Sequence, residues 1–118
     1  MANAARQATW KIYQDAWADI TEVERKELLS RSLADNISFS SLTSEGQGLA
    51  EMIANIENFQ KQFHGATFRT HKYYEHHDQL LAEWMMYDKN GAELLAGKSF
   101  ARFDANENLV FLSGFWDA

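Results

Sequence analysis

The sequence predicts an α+β fold in which three amino-terminal helices cover one face of a strongly curved antiparallel β-sheet. Three observations carry this. From Ala66 to Ala118 the chain reads as four long β-rich runs with short connections. Before Ala66, apolar residues recur mainly at helical spacing. Turn-forming clusters fall at His76-His77-Asp78, Asp88-Lys89-Asn90-Gly91 and Asp104-Ala105-Asn106-Glu107-Asn108. Three hairpins in succession make a meander, and strands longer than the usual ~5–6 residues should twist and coil into a concave face.

The first helix is expected from about Ala4 to Asp19, with Trp10, Tyr13, Ala16, Trp17 and Ile20 forming one apolar stripe. Thr21 and Glu24 have the spacing of a capping box, so a second helix should start there and run to about Leu33. It should bury Val23, Leu29 and Leu33 and leave Glu22, Glu24, Arg25, Lys26 and Glu27 in water. Ala34-Asp35-Asn36 should end it, and Ile37-Ser38-Phe39-Ser40 alternates as a short strand. Ser44, Gly46 and Gly48 read as a flexible loop. Leu49, Met52, Ile53, Ile56, Phe59 and Phe63 then trace a third helix that stops at His64-Gly65.

In the sheet, an even-length turn centred on His77 and Asp78 pairs residues across the first hairpin so that partners share a face. Arg69, His71, Tyr73 and Glu75 then lie beside Met86, Trp84, Ala82 and Leu80. The third strand presents Gly97, Ser99, Ala101 and Phe103 on one face, and the fourth presents Leu112, Gly114 and Trp116. Aromatic, small and polar residues mixed in this way suit a ligand pocket in the concave face better than a dry core.

A chain of 118 residues with 46% hydrophobic content supports a single domain, residues 1–118, with one core. Seventeen acidic against 11 basic residues give a net charge of −6, with no Lys/Arg-rich run, which argues against a nucleic-acid partner. The absence of cysteine excludes disulfides, a thiol nucleophile and a thiolate zinc site, and suits a cytoplasmic protein. Neither a signal peptide nor a membrane span is expected from the apolar pattern. His76-His77-Asp78 has metal-binding residue types, but neighbouring side chains at a bend diverge and no second cluster completes a site. No metal or cofactor is expected.

The order of elements and several strings resemble the nuclear transport factor 2-like superfamily, in particular its SnoaL-like, polyketide cyclase-like branch. These are Trp10 through Trp17, Leu33-Ala34-Asp35-Asn36-Ile37-Ser38-Phe39, His76-His77-Asp78 ahead of Trp84, Gly97-Lys98-Ser99-Phe100 and Gly114-Phe115-Trp116-Asp117. The resemblance covers nearly the whole chain. It implies a cone-shaped fold with a pocket in the cone and a homodimer formed through the outer face of the sheet. The ketosteroid isomerases of that superfamily use a tyrosine and two aspartates, which align here with Trp17, Ser41 and Ser99. A tryptophan has no hydroxyl and serine does not titrate near neutrality, so that proton-shuttling set is missing.

The remaining acid/base candidate is His71 beside Trp84, with Tyr73 and Glu75 on the same face. Arg69 can fork an anionic ligand. Tyr13, Trp17, Phe63, Trp84 and Trp116 can form an aromatic box for a flat or polycyclic ligand, with Ser99 and Ser41 donating to a ligand carbonyl. Three classes remain open: a lyase, isomerase or cyclase acting on a hydrophobic carbonyl compound, a ligand-binding protein without chemistry, and a dimerising interaction module.

Overall fold

In the computed structural model, which describes residues 4–117, helix α1 (Ala4–Asp15) stops a turn short of Asp19. Its exit tightens through i to i+3 bonds from the amides of Ala16, Trp17 and Ala18, so the carbonyls beyond lose helical partners. Arg25, expected in water, is buried for this reason. Its Nε donates to the Ala16 carbonyl at 3.0 Å and its Nη2 to the Ala18 carbonyl at 2.8 Å. Helix α2 (Glu22–Ser32) begins at the expected capping box, with both reciprocal Thr21–Glu24 bonds at 3.1 Å. Leu29 is fully buried, but Val23, expected inside, is 78% exposed.

The chain passes from α2 directly into β1 (Leu33–Ser40), so Ala34-Asp35-Asn36 is strand and not a helix stop. The segment expected as a flexible loop folds back as a short antiparallel strand, β2 (Glu45–Gln47), pairing Gly46 with Phe39. Helix α3 (Gly48–Gln62) follows, buries Met52 and Ile56, and gives way to Gly65 at φ +81°.

Strands β3 (Thr67–His76), β4 (Gln79–Tyr87), β5 (Glu93–Phe103) and β6 (Leu109–Trp116) form the expected meander. The Asp88 carboxylate accepts from the amides of Asn90 and Ala92, and Asp104 does the same for Asn106 and Asn108. The sheet has the order β2-β1-β6-β5-β4-β3, and β1 lies parallel to β6. It is therefore mixed and not wholly antiparallel, because the chain reaches β1 before the meander and re-enters beside it only at β6. Register shifts leave His71 of β3, Leu94 of β5 and Val110 of β6 as extra residues opposite their partner strands, and such bulges bend a sheet. Leu29, Ile37, Met52, Ile56, Leu80 and Leu109 are fully buried in the core that joins helices to the inner sheet face.

Candidate functional site

Next to that core is a cavity of about 470 Å³, within the range that accommodates small ligands. Helices α1 and α3, the β1–β2 connection and the inner face of the sheet line it. Its interior is a chain of edge-on aromatic contacts. Trp17 meets Phe59 at 5.3 Å and Phe68 at 5.8 Å between ring centroids, and Phe68 meets Trp84 at 5.1 Å with planes at 89°. Trp116 continues the wall at 6.3 Å from Trp84. Such packing fixes the rings but leaves their remaining faces available for stacking.

The polar groups are neutral and positioned. The Trp84 indole N–H donates to the Ser99 hydroxyl at 3.0 Å across the β4–β5 pair. The Thr70 hydroxyl accepts from the Trp10 indole at 2.8 Å and donates to the Gln14 side chain at 2.6 Å, bracing α1 on β3. Tyr13 is buried, and desolvation pushes its phenol well above the ordinary range against a smaller opposing hydrogen bond with Trp17. Because an indole N–H only donates, the Tyr13 oxygen accepts from Trp17 and the phenol keeps its proton to donate. Ser41, whose hydroxyl accepts from the Thr43 amide at 3.3 Å, lines the mouth with Thr43 and Ser44.

Tyr13, Trp17, Phe63, Trp84, Ser99 and Trp116 line the cavity together, whereas Arg69, His71 and Tyr73 do not. For Arg69 and His71 the cause is the bulge in β3. Beyond it the expected register holds, with Tyr73 opposite Ala82 and Glu75 opposite Leu80. Across it the pairing slips by one, so Thr70 and not His71 faces Trp84, and Phe68 and not Arg69 faces Met86. His71 is therefore exposed on the outer face, its Nε2 3.9 Å from Glu83. Arg69 is exposed there too, its guanidinium over the Tyr87 ring at 5.4 Å. Tyr73 is half-buried against the core, outside the lining, and burial raises its phenol pKa.

Several lining residues escaped the sequence reading. Phe68 was hidden by the same bulge. Asn55, Asn58 and Gln62 lie on α3 at i, i+3 and i+7, beside the apolar stripe. Their spacing was the available signal, but a polar row at helical period ordinarily reads as a solvated face.

Three helices against a curved mixed sheet, with a cavity between them, define the nuclear transport factor 2-like, or cystatin-like, fold. The chain is similar throughout to a proposed isomerase of the SnoaL-like family from Agrobacterium tumefaciens. The TM-score is 0.90 at 19% identity, over 98% of this chain and 100% of the other. It is similar to a SnoaL-like protein of unknown function from Burkholderia thailandensis, with a TM-score of 0.77 at 13% identity over 100% and 99% of the two chains. A proposed polyketide cyclase from Sinorhizobium meliloti matches with a TM-score of 0.72 at 11% identity, over 91% and 93%. No protein-family model matches the sequence, and no curated protein matches it. No helix among the described residues is long and apolar enough to cross a membrane.

Proposed function

We propose that this protein binds a small, flat, uncharged apolar molecule carrying a carbonyl or similar acceptor, and that it performs no acid–base chemistry on it. The observation that carries this reading is the lining. Among the described residues it combines aromatic walls with neutral polar groups and has no carboxylate, imidazole, ammonium or guanidinium. Tyr13 is the ionisable exception, and burial holds it as a neutral phenol. General acid–base catalysis is most efficient with a group that titrates near the working pH. His71 on the outer face supplies none to the cavity, so the isomerase description of the Agrobacterium protein is not carried over. Ser99 supports the carbonyl preference: its oxygen accepts from Trp84, and its own proton has no acceptor among the described residues.

Titration of tryptophan fluorescence with 2-acetylnaphthalene and with naphthalene tests this. Both should bind saturably, the ketone more tightly, and Ser99→Ala should weaken the ketone about threefold to tenfold while sparing the hydrocarbon. Failure of both compounds to bind would contradict the reading.

The outer face of the sheet exposes Leu94 at 50%, Phe115 at 57% and Tyr74 at 46%. Apolar side chains spread over β3, β5 and β6 support a homodimer formed through that face. Light scattering should report a dimer for the wild type and a monomer for Phe115→Glu combined with Leu94→Glu. A wild-type monomer at every concentration would exclude it.

A further inference from the structure

The mouth of the cavity differs from its interior. On α3, Asn55, Asn58 and Gln62 form one row along the lining, with Asn58 and Gln62 exposed and Asn55 half-buried. At 1.5 Å rise per residue the row spans roughly 10 Å. The β1–β2 connection adds the hydroxyls of Ser41, Thr43 and Ser44 to the same lining. None of the three carboxamide side chains has a hydrogen-bond partner among the described residues. Gln60, on the same helix, shows what an engaged amide looks like. Its Nε2 donates to the Trp17 carbonyl at 2.6 Å and the Ala66 carbonyl at 3.1 Å, and its Oε1 accepts from the Gly65 amide at 3.0 Å. Gln60 holds the fold together; the row at 55, 58 and 62 does not.

A carboxamide offers two donors and an acceptor without charge, and serine and threonine hydroxyls both donate and accept. Groups of this kind match a partner that also donates and accepts at several adjacent positions. Sugar hydroxyls do so, while a phosphate or carboxylate is held best by cationic donors, which the lining lacks among the described residues. From this geometry we infer that the ligand has two parts: an aromatic body held by Trp17, Phe68, Trp84 and Trp116, and a neutral, polyhydroxylated head, such as a glycosyl group, lying along Asn55, Asn58 and Gln62. The inference rests on the proposed binding of a flat apolar body and adds the chemical class of the head.

Isothermal titration with 1-naphthol, 1-naphthyl β-glucopyranoside and 1-naphthyl phosphate separates the two claims. Wild-type protein should bind the glucoside about tenfold more tightly than 1-naphthol, the gain expected from one or two net hydrogen bonds, and the phosphate more weakly than either. The triple variant Asn55→Ala, Asn58→Ala, Gln62→Ala should lose this preference and bind glucoside and naphthol alike, while still binding naphthol saturably. That last result also shows that the cavity is still folded. A glucoside bound no more tightly than naphthol, or equally well by the triple variant, would overturn the head-group assignment and leave the aromatic site standing. Preference for the phosphate would overturn the neutral class. Binding of none of the three would overturn both claims.

Discussion

The indole of Trp84 lies directly against the backbone of Gly97 on the neighbouring strand. A Cβ at position 97 would sit 2.3 Å from Cη2 and 2.4 Å from Cζ2 of the ring, and 2.9 Å from the Phe115 carbonyl oxygen. The glycine provides room for the ring to lie across β5. In that position the indole N–H reaches Ser99 and the ring joins Phe68 and Trp116 in the cavity wall.

Gly97→Ala should therefore force the indole or the strand to move, because neither the ring nor the Phe115 backbone can yield by simple rotation. Overpacking of this kind costs about 1–3 kcal/mol. Urea denaturation should show a lower midpoint, and the Trp84 indole resonance should shift as its bond to Ser99 is strained. A variant as stable as the parent with an unmoved indole signal would contradict the packing described.

His71 marks the bulge and lies outside the cavity. Its pairing with Glu83 at 3.9 Å is an exposed contact of small energetic value. His71→Ala should change stability by no more than about 0.5 kcal/mol, and affinity for 2-acetylnaphthalene should stay within twofold. Loss of ketone binding in this variant would restore the inward register that the alternation of β3 predicted.

Two exposed carboxylates give the fold an acid dependence. Hydrogen bonds from the Thr21 backbone and hydroxyl lower the Glu24 pKa at the start of α2. The Arg6 guanidinium, which bonds Glu107 at 2.7 Å, lowers the Glu107 pKa. Because the folded state favours the charged form, each group contributes stability above the ordinary glutamate value of about 4.3. Each contribution disappears as the pH falls through the depressed folded value. Stability measured by urea denaturation should fall on acidification below that point, and Glu24→Gln or Glu107→Gln should each flatten the fall. An unchanged pH dependence in both variants would contradict these assignments.

Much of the architecture was legible because its signals are local. The Thr21–Glu24 box, the stripe from Leu49 to Phe63 and the three aspartate- or histidine-bearing turns each act within a few residues. The inner faces of β5 and β6 followed from alternation alone. The parallel pairing of β1 with β6 joins segments far apart in sequence, and nothing in either strand marks the partner. The bulge after Thr70 inserts one residue whose only trace is the polar pair His71-Lys72, and that slip moved two candidate residues to the opposite face. Arg25 is buried because the exit of α1 leaves carbonyls that need a donor, a demand set by another element. The Asn55, Asn58 and Gln62 row is visible as a period, but a period alone does not distinguish water from a ligand.

The central claim, that the cavity receives an uncharged aromatic guest, is tested most directly by following the tryptophan indole N–H signals by NMR during titration with 2-acetylnaphthalene. The account predicts saturable shifts of the signals of the indoles that line the cavity, Trp10, Trp17, Trp84 and Trp116, with a common dissociation constant. Shifts confined to surface amides, or no saturable change in the four cavity indoles, would contradict it.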